Sequence, residues 1–442
     1  MVSLSADLDL NSWLSLIGGL LAFIIPIILL VPPVSLRASD ALLQTHSPAG
    51  IPRSRSNLVD EPAGTSKVAA VKGLLVYPIK SCPGTELTQS RVLPHGLEFD
   101  RVFTFAQLKS QFPMPVDATE GDHGTHSWEF ITQRQFARLA LLKVDLWLPD
   151  EAKLKRQGLR RTQEAFITIR FPWRELGWRG VLETLAAKLR NGLRAEAEYE
   201  IMLPLDFPSE KEIADKGYTF EAVTIWKEPV LALNMEKELP EALRLFTGVS
   251  NKLGLFRIDP GHLRKVSGNA PTQEEAGYQP VARFQDAYPL NLVNLASVRD
   301  FDALVPKDEN LKKVDLHRFR PNIVTYSEET WRKIRFTRGA SSLHREFVAS
   351  VCCRTTRCKL PNVDPVTGFR HAVEPDKSLR THRTVDEGAP LKGCMGMQMV
   401  PLFDDIFATS TPGTVTSSDL YGWVGAGMEI VVDEAGNHMI IK

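Results

Sequence analysis

The chain has 442 residues, 53 Lys plus Arg against 53 Asp plus Glu, and a formal net charge of zero. That length holds two domains with cores of their own, and the balanced charge carries no electrostatic footprint for nucleic acid. Five cysteines, an odd number with three close together at Cys352, Cys353 and Cys358, are not a secreted disulfide framework and point to a reducing compartment.

Residues 13–31 are almost wholly apolar, and no charge occurs between Asp9 and Arg37. This pattern predicts a bilayer-spanning helix within an anchor segment 1–36, with Pro26 tolerated inside it. A cleaved signal peptide would need a basic leading region, and the leading charges here are Asp7 and Asp9. Arg37, Arg53 and Arg55 follow the apolar run, so the positive-inside rule puts the remainder of the chain in the cytosol. Residues 37–69, rich in Pro, Ser and Ala without an apolar period, predict a flexible linker.

From Val71 the pattern becomes β-rich. Strand signals fall at 73–79, 91–93, 103–108, 130–131, 139–148 and 165–171, with an amphipathic helix over 181–190. The polar stretch 111–127 predicts a surface insertion, and its His123 and His126 are read as solvated rather than metal-binding. After a polar connection at 208–219, strands are expected at 222–226, 229–233 and 253–259, a helix at 240–248, and a loop at 272–277. Ser297 is placed to cap a helix running to about Leu304. The end of the chain, 427–432 and 437–441, reads as a hairpin.

The chemistry-bearing stretch is 351–368, Val-Cys-Cys-Arg-Thr-Thr-Arg-Cys-Lys-Leu-Pro-Asn-Val-Asp-Pro-Val-Thr-Gly. A strand leading into a cysteine on a tight turn presents sulfur at a sheet end, where a soft ligand can hold a metal. Cys-x4-Cys and Cys-x5-Cys with no second cluster make a poor zinc site, and small buried cysteines are the competing reading.

Arg357-Cys358, Val363-Asp364-Pro365 and Thr367-Gly368 resemble the cysteine loop of the MOSC family, in which the molybdenum-ligating cysteine stands six residues before the Asp. Where that pattern often has a second cysteine, this chain has Thr355. Phe319-Arg320-Pro321-Asn322 fits the same family. Val76-Tyr-Pro-Ile-Lys-Ser-Cys82, Gly96-Leu-x-x-Asp100-Arg101, Thr132-Gln-Arg-Gln135 and Arg138-Leu139 resemble the β-barrel domain that precedes MOSC domains in the amidoxime-reducing component family. The fold class expected is mainly β (α+β): an N-terminal transmembrane helix, a MOSC N-terminal β-barrel domain over 70–215 and a MOSC β-barrel domain over 216–442.

The resemblance implies a molybdenum cofactor held by Lys80, Ser81, Arg101, Ser297, Arg320, Asn322, Thr356 and Arg357, with Cys358 as metal ligand and catalytic residue. A lysine, a hydroxyl and an arginine suit the cofactor's phosphate, and a helix beginning near Ser297 suits an anion as well. The implied activity is reduction of small N-hydroxylated compounds such as amidoximes and hydroxylamines. No ferredoxin cysteine pattern and no nucleotide-binding glycine motif occurs. Electrons are therefore expected from separate proteins, by resemblance cytochrome b5 and NADH-cytochrome b5 reductase. The outer mitochondrial membrane is preferred to the endoplasmic reticulum for the anchor. Two alternatives stand beside this reading: a non-catalytic cofactor carrier or sulfur-transfer accessory, and a membrane-tethered interaction module. Sulfurases of the family carry a pyridoxal-phosphate domain, for which the stretch ahead of Val71 is too short.

Overall fold

Branched and aromatic residues supply most of the strands, and their partners are distant in sequence. The computed structural model describes residues 10–30, 37–56, 58, 69–110, 126–159, 162, 164–326, 332–337, 346–409 and 416–440. The largest sheet runs Ile323–Tyr326, Leu290–Asn294, Cys394–Leu402, Phe347–Thr356, Lys333–Thr337, Glu429–Glu434 and Ala70–Val76, with Thr85–Leu87 added outside. Ala70–Val76 also pairs with Ile323–Tyr326, which closes the sheet into a ring. Leu290–Asn294 and Ile323–Tyr326 are parallel, joined through helix Leu295–Leu304, as a parallel pair requires a crossover.

A second closed barrel is built from Phe103–Ser110, His126–Phe130, Thr219–Ile225, Glu228–Asn234 and Leu253–Ile258. A four-stranded sheet, His46–Pro48, Lys143–Pro149, Phe166–Pro172 and Glu198–Pro204, completes the main architecture. One apolar core joins all three: Leu74 and Phe336 from the ring, Phe105 and Leu255 from the barrel, and Ile167 and Leu203 from the open sheet are buried together. The mainly β character with barrels stands. The sheets, however, take strands from both sides of residue 215: the barrel runs from Phe103 to Ile258, and Ala70–Val76 belongs to the ring with the C-terminal strands.

The expected membrane anchor is overturned. Leu10–Leu30 is helical, yet among the described residues no helix is long and apolar enough to cross a membrane. A span needs roughly 20 predominantly apolar residues. The single-pass topology and the outer-mitochondrial-membrane placement rested on that helix and fall with it.

Other local expectations also change. Part of the expected linker is ordered: Ala38–Leu42 is a helix and His46–Pro48 pairs with Lys143–Pro149, because Arg37 and Ser39 bind Glu198 and Glu200. The 139–148 stretch divides into a 3-10 turn, Ala137–Leu141, and the strand Lys143–Pro149. Thr272 caps a short helix, Gln273–Ala276, where a loop was expected. The last strand, Glu429–Glu434, pairs with Lys333–Thr337, and no strand pairing is described for 437–440. His123, Trp331, Ile441 and most of the 111–127 insertion lie outside the described residues.

Candidate active site

The site is assembled around a turn that leaves strand Ala70–Val76. Ile79 bridges to Phe103, and the Lys80 amide donates to the Phe103 carbonyl at 2.8 Å. Ser81 then takes a left-handed conformation, φ +64°. This turns the Lys80 side chain inward, where Nζ donates to the Phe284 carbonyl at 2.7 Å and to Asp286 Oδ1 at 2.6 Å. Burial pushes the Lys80 ammonium below its ordinary pKa, and the Asp286 charge opposes that fall.

Asp100 and Arg101 form the second part. Asp100 is fully buried and accepts two hydrogen bonds from Arg101 Nη1, at 2.6 and 2.7 Å. It also accepts from the Tyr77 amide at 2.9 Å and from Gln285 Nε2 at 3.3 Å. The Tyr77 ring lies between two guanidiniums, Arg101 at 4.3 Å and Arg320 at 4.2 Å from its centroid. Gly84 packs on the same ring; a Cβ there would stand 2.5 Å from Tyr77 Cε1.

Arg320 follows the 3-10 helix Leu316–Phe319 with φ +50°. Its Nη1 donates to the Cys82 carbonyl at 2.6 Å, while Nη2 is buried and makes no hydrogen bond. Enclosure of this guanidinium pushes its pKa down to about 10. Among the described residues, the non-glycine positions with positive φ are Ser81, Phe99, Arg101, Trp226 and Arg320. Ser81, Arg101 and Arg320 are candidate site residues, and Trp226 hydrogen-bonds Asp286. Strained backbone concentrated in one place is a mark of a functional site. A cavity of ≈ 290 Å3 touches Tyr77, Arg318 and Arg320 but neither Lys80 nor Cys358, so it is not by itself the site.

Strand Phe347–Thr356 delivers the cysteine loop. Arg357 is pinned, Nε donating to the Met395 carbonyl at 2.8 Å and Nη1 to the Phe319 carbonyl at 2.9 Å. Of the five cysteines, Cys358 is exposed and the other four are buried. Asp364 organises the turn after Cys358. Its Oδ1 accepts from the Val366 and Thr367 amides at 2.8 and 2.9 Å, its carbonyl accepts from Gly368, and its Oδ2 accepts from Arg318 Nη2 at 2.5 Å. Gly368 has φ +67°, which accounts for glycine at that position. The Asp-Pro-x-Thr-Gly sequence is therefore a side-chain-capped turn that holds the loop behind Cys358.

Lys80, Ser81, Arg101 and Arg320 thus fall in one neighbourhood. Thr356, Arg357 and Cys358 adjoin it through Phe319, whose carbonyl Arg357 binds. Asn322 bonds into the sheet: its Oδ1 accepts from the Asn291 amide and its Nδ2 donates to the Leu75 carbonyl. Ser297 is not the cap expected of it. Helix Leu295–Leu304 begins two residues earlier and is capped by Asn294, whose side chain accepts from the Ala296 amide. Sequence reasoning missed Tyr77, Asp286, Asn291 and Trp226, whose roles depend on partners far along the chain. Tyr77 alone had a local signal, since it lies in the Val76–Cys82 segment.

The residues fit a phosphate-bearing cofactor that carries its own metal donors. The buried Lys80 ammonium on its Asp286 partner, an unpartnered guanidinium nitrogen and an exposed thiol lie in adjoining segments. Among the described residues, no three His, Cys, Asp or Glu side chains group to hold a metal by themselves.

Residues 68–172 match the MOSC N-terminal beta barrel domain and residues 279–427 match the MOSC domain. Mitochondrial amidoxime-reducing component 1 of Homo sapiens is 30% identical over 361 residues, 80% of this chain and 82% of the human protein. Mitochondrial amidoxime reducing component 2 of Rattus norvegicus is 24% identical over 362 residues, again 80% of this chain and 82% of the relative. The Mus musculus component 1 is 30% identical over 165 residues, 36% of this chain and 42% of the mouse protein. Identity at this level across most of both the human chain and this one, with the two domains in the same order, shows that the chain belongs to the MOSC family, among relatives named mitochondrial amidoxime-reducing components.

Proposed function

We propose that this protein is a molybdenum-cofactor oxidoreductase that reduces N-hydroxylated compounds of the amidoxime and hydroxylamine type. Membership of a molybdenum-cofactor-binding family gives the coarse class, and the relatives' names suggest the substrate. The observation that carries the reading is the exposed Cys358 thiol on a turn pinned by Arg357 and Asp364, with the unpartnered Arg320 Nη2 close by in the same region.

Lys80, Ser81 and Arg320 would hold the cofactor's anionic end, with Arg101 supporting them through Asp100 and Tyr77. Cys358 would ligate the metal. When bound, the cofactor would supply the two-electron chemistry that removes oxygen from nitrogen. The chain's part is binding and orientation. Arg357 fixes the backbone beside Cys358 through its bonds to the Met395 and Phe319 carbonyls. Burial pushes the Tyr77 phenol up to about 12, so at neutral pH it stays protonated and serves as a packing surface for the two guanidiniums. Electrons would come from a separate cytochrome b5 and its NADH-dependent reductase.

The test has two stages. Purified protein is assayed for molybdenum and pterin, and then given an amidoxime with NADH, with and without the two donor proteins. Turnover only when both donors are present is expected. A protein without molybdenum and pterin overturns the reading, and a loaded protein that never turns over with both donors leaves a cofactor carrier.

A further inference from the structure

Lys80 is one of the least exposed cations at the site, and its counter-charge is one of the most exposed anions. The Lys80 side chain is 6% exposed and that of Asp286 is 62% exposed, although Nζ and Oδ1 are 2.6 Å apart. The Asp286 carboxylate is held from its other side by the Trp226 indole, Nε1 donating to the same Oδ1 at 3.2 Å. Trp226 sits in the turn between strands Thr219–Ile225 and Glu228–Asn234, with φ +60° and 46% exposure. Its ring meets the Arg134 guanidinium at 4.4 Å and the Phe130 ring edge-on at 5.3 Å.

We propose that Asp286 is an internal stand-in for a phosphate monoester: its carboxylate fills the anion seat on Lys80 in the cofactor-free protein, latched by Trp226, and leaves when a phosphate group arrives. This rests on the reading that Lys80 takes the anionic end of the cofactor.

A buried ammonium is costly without a counter-charge, so the seat on Lys80 needs an occupant at all times. Before the cofactor arrives, Asp286 provides it. A phosphate dianion on Lys80 would lie within a few ångströms of the Asp286 carboxylate if both stayed, and like charges at that distance repel strongly. Asp286 can yield because its side chain is already open to solvent and the arriving phosphate takes its place against the buried Lys80 ammonium. Lys80 keeps its second bond, to the Phe284 carbonyl, through the exchange. The departure of Asp286 deprives the Trp226 indole of its acceptor, so the exchange carries an optical signature.

The experiment titrates the full-length cofactor-free chain with inorganic phosphate while following tryptophan emission. Wild-type protein should show a saturable emission change that Trp226→Phe lacks. Asp286→Asn, which removes the competing charge at an exposed position, should bind phosphate about tenfold more tightly, as expected for relief of one close charge. Cofactor-loaded protein should already show the shifted emission and ignore added phosphate, which separates the cofactor's own phosphate from free phosphate as occupant. Unchanged or weaker phosphate binding in Asp286→Asn overturns the stand-in, as does an emission change that persists in Trp226→Phe. Lys80→Met, checked first for an intact melting transition, tests the underlying reading separately. If it folds and binds phosphate like wild type, Lys80 is not the seat; if it loses binding while Asp286→Asn fails to tighten it, only the stand-in falls. Absence of saturable binding in both wild type and Asp286→Asn counts against both.

Discussion

Arg320 donates through Nη1 to the carbonyl oxygen of Cys82 at 2.6 Å, across 238 residues of sequence. The bond ties the turn that carries Lys80 and Ser81 to the segment that ends in Arg320. It also leaves the second terminal nitrogen buried and unpaired beside the Tyr77 ring. A buried donor without an acceptor is held at a cost unless something binds to it.

Arg320→Lys is therefore expected to be far from conservative. A lysine keeps the charge but cannot reach the Cys82 carbonyl and present a second donor with one planar group. Loss of the buried bond should cost about 1–3 kcal/mol of stability. The molybdenum content per chain should fall more than the melting temperature does. Metal analysis and a thermal melt on the same preparation check this, and an unchanged metal content would remove Arg320 from the site.

Cys358→Ser should abolish reductase activity with little change in stability, because the side chain is exposed and a hydroxyl is a poor ligand for a metal that prefers soft thiolate. Cys352→Ser and Cys353→Ser should retain most activity, since both side chains are buried in strand Phe347–Thr356. Steady-state rates of the three variants decide the assignment. Wild-type turnover by Cys358→Ser would refute it.

Thiol chemistry should separate the same residues without mutation. Burial pushes Cys82 and Cys352 up to about 12 and Cys353 up to about 11, from 9.0. A raised folded pKa contributes stability that is fully present below pH 9 and lost as pH rises through the folded value. Native protein treated with iodoacetamide at pH 8 to 10 should therefore label Cys358 first, and the four buried cysteines, Cys394 included, should react only on unfolding. Peptide mass spectrometry with and without urea reads this out; fast native labelling of Cys82 would contradict its burial.

Gly84→Ala should disturb the aromatic seat. The added carbon would stand 2.5 Å from Tyr77 Cε1, and the ring cannot retreat freely between the Arg101 and Arg320 guanidiniums. A cost of about 1–3 kcal/mol is expected for such overpacking, measured as a lowered urea midpoint, together with weaker cofactor retention. A variant as stable as wild type would mean that the ring is not confined.

Much of the cysteine loop was legible in the sequence because it is local. Asp364 caps its own turn over the next few residues, Gly368 supplies the positive φ, and Cys358 sits at a fixed spacing ahead of both. Lys80, Ser81, Arg101 and Arg320 were named from short segments, and the fold brings them to one neighbourhood. The Ser297 cap failed by three residues because Asn294 offers the same capping chemistry and nothing local chooses between them. The N-terminal apolar run was read as a membrane span, and among the described residues no helix is long and apolar enough to be one.

The sequence by itself determined the mainly β character, the cysteine turn that follows a strand, and the family to which these motifs belong. Tertiary structure decided that Ala70–Val76 closes the C-terminal ring, that the Asn322 side chain bonds into the sheet, and that Lys80 meets Asp286. The division has a physical cause. Turn and capping chemistry acts between neighbours and is written in adjacent letters. Strand pairing and buried charge are settled by burial and register among residues hundreds of positions apart, and no local pattern records them.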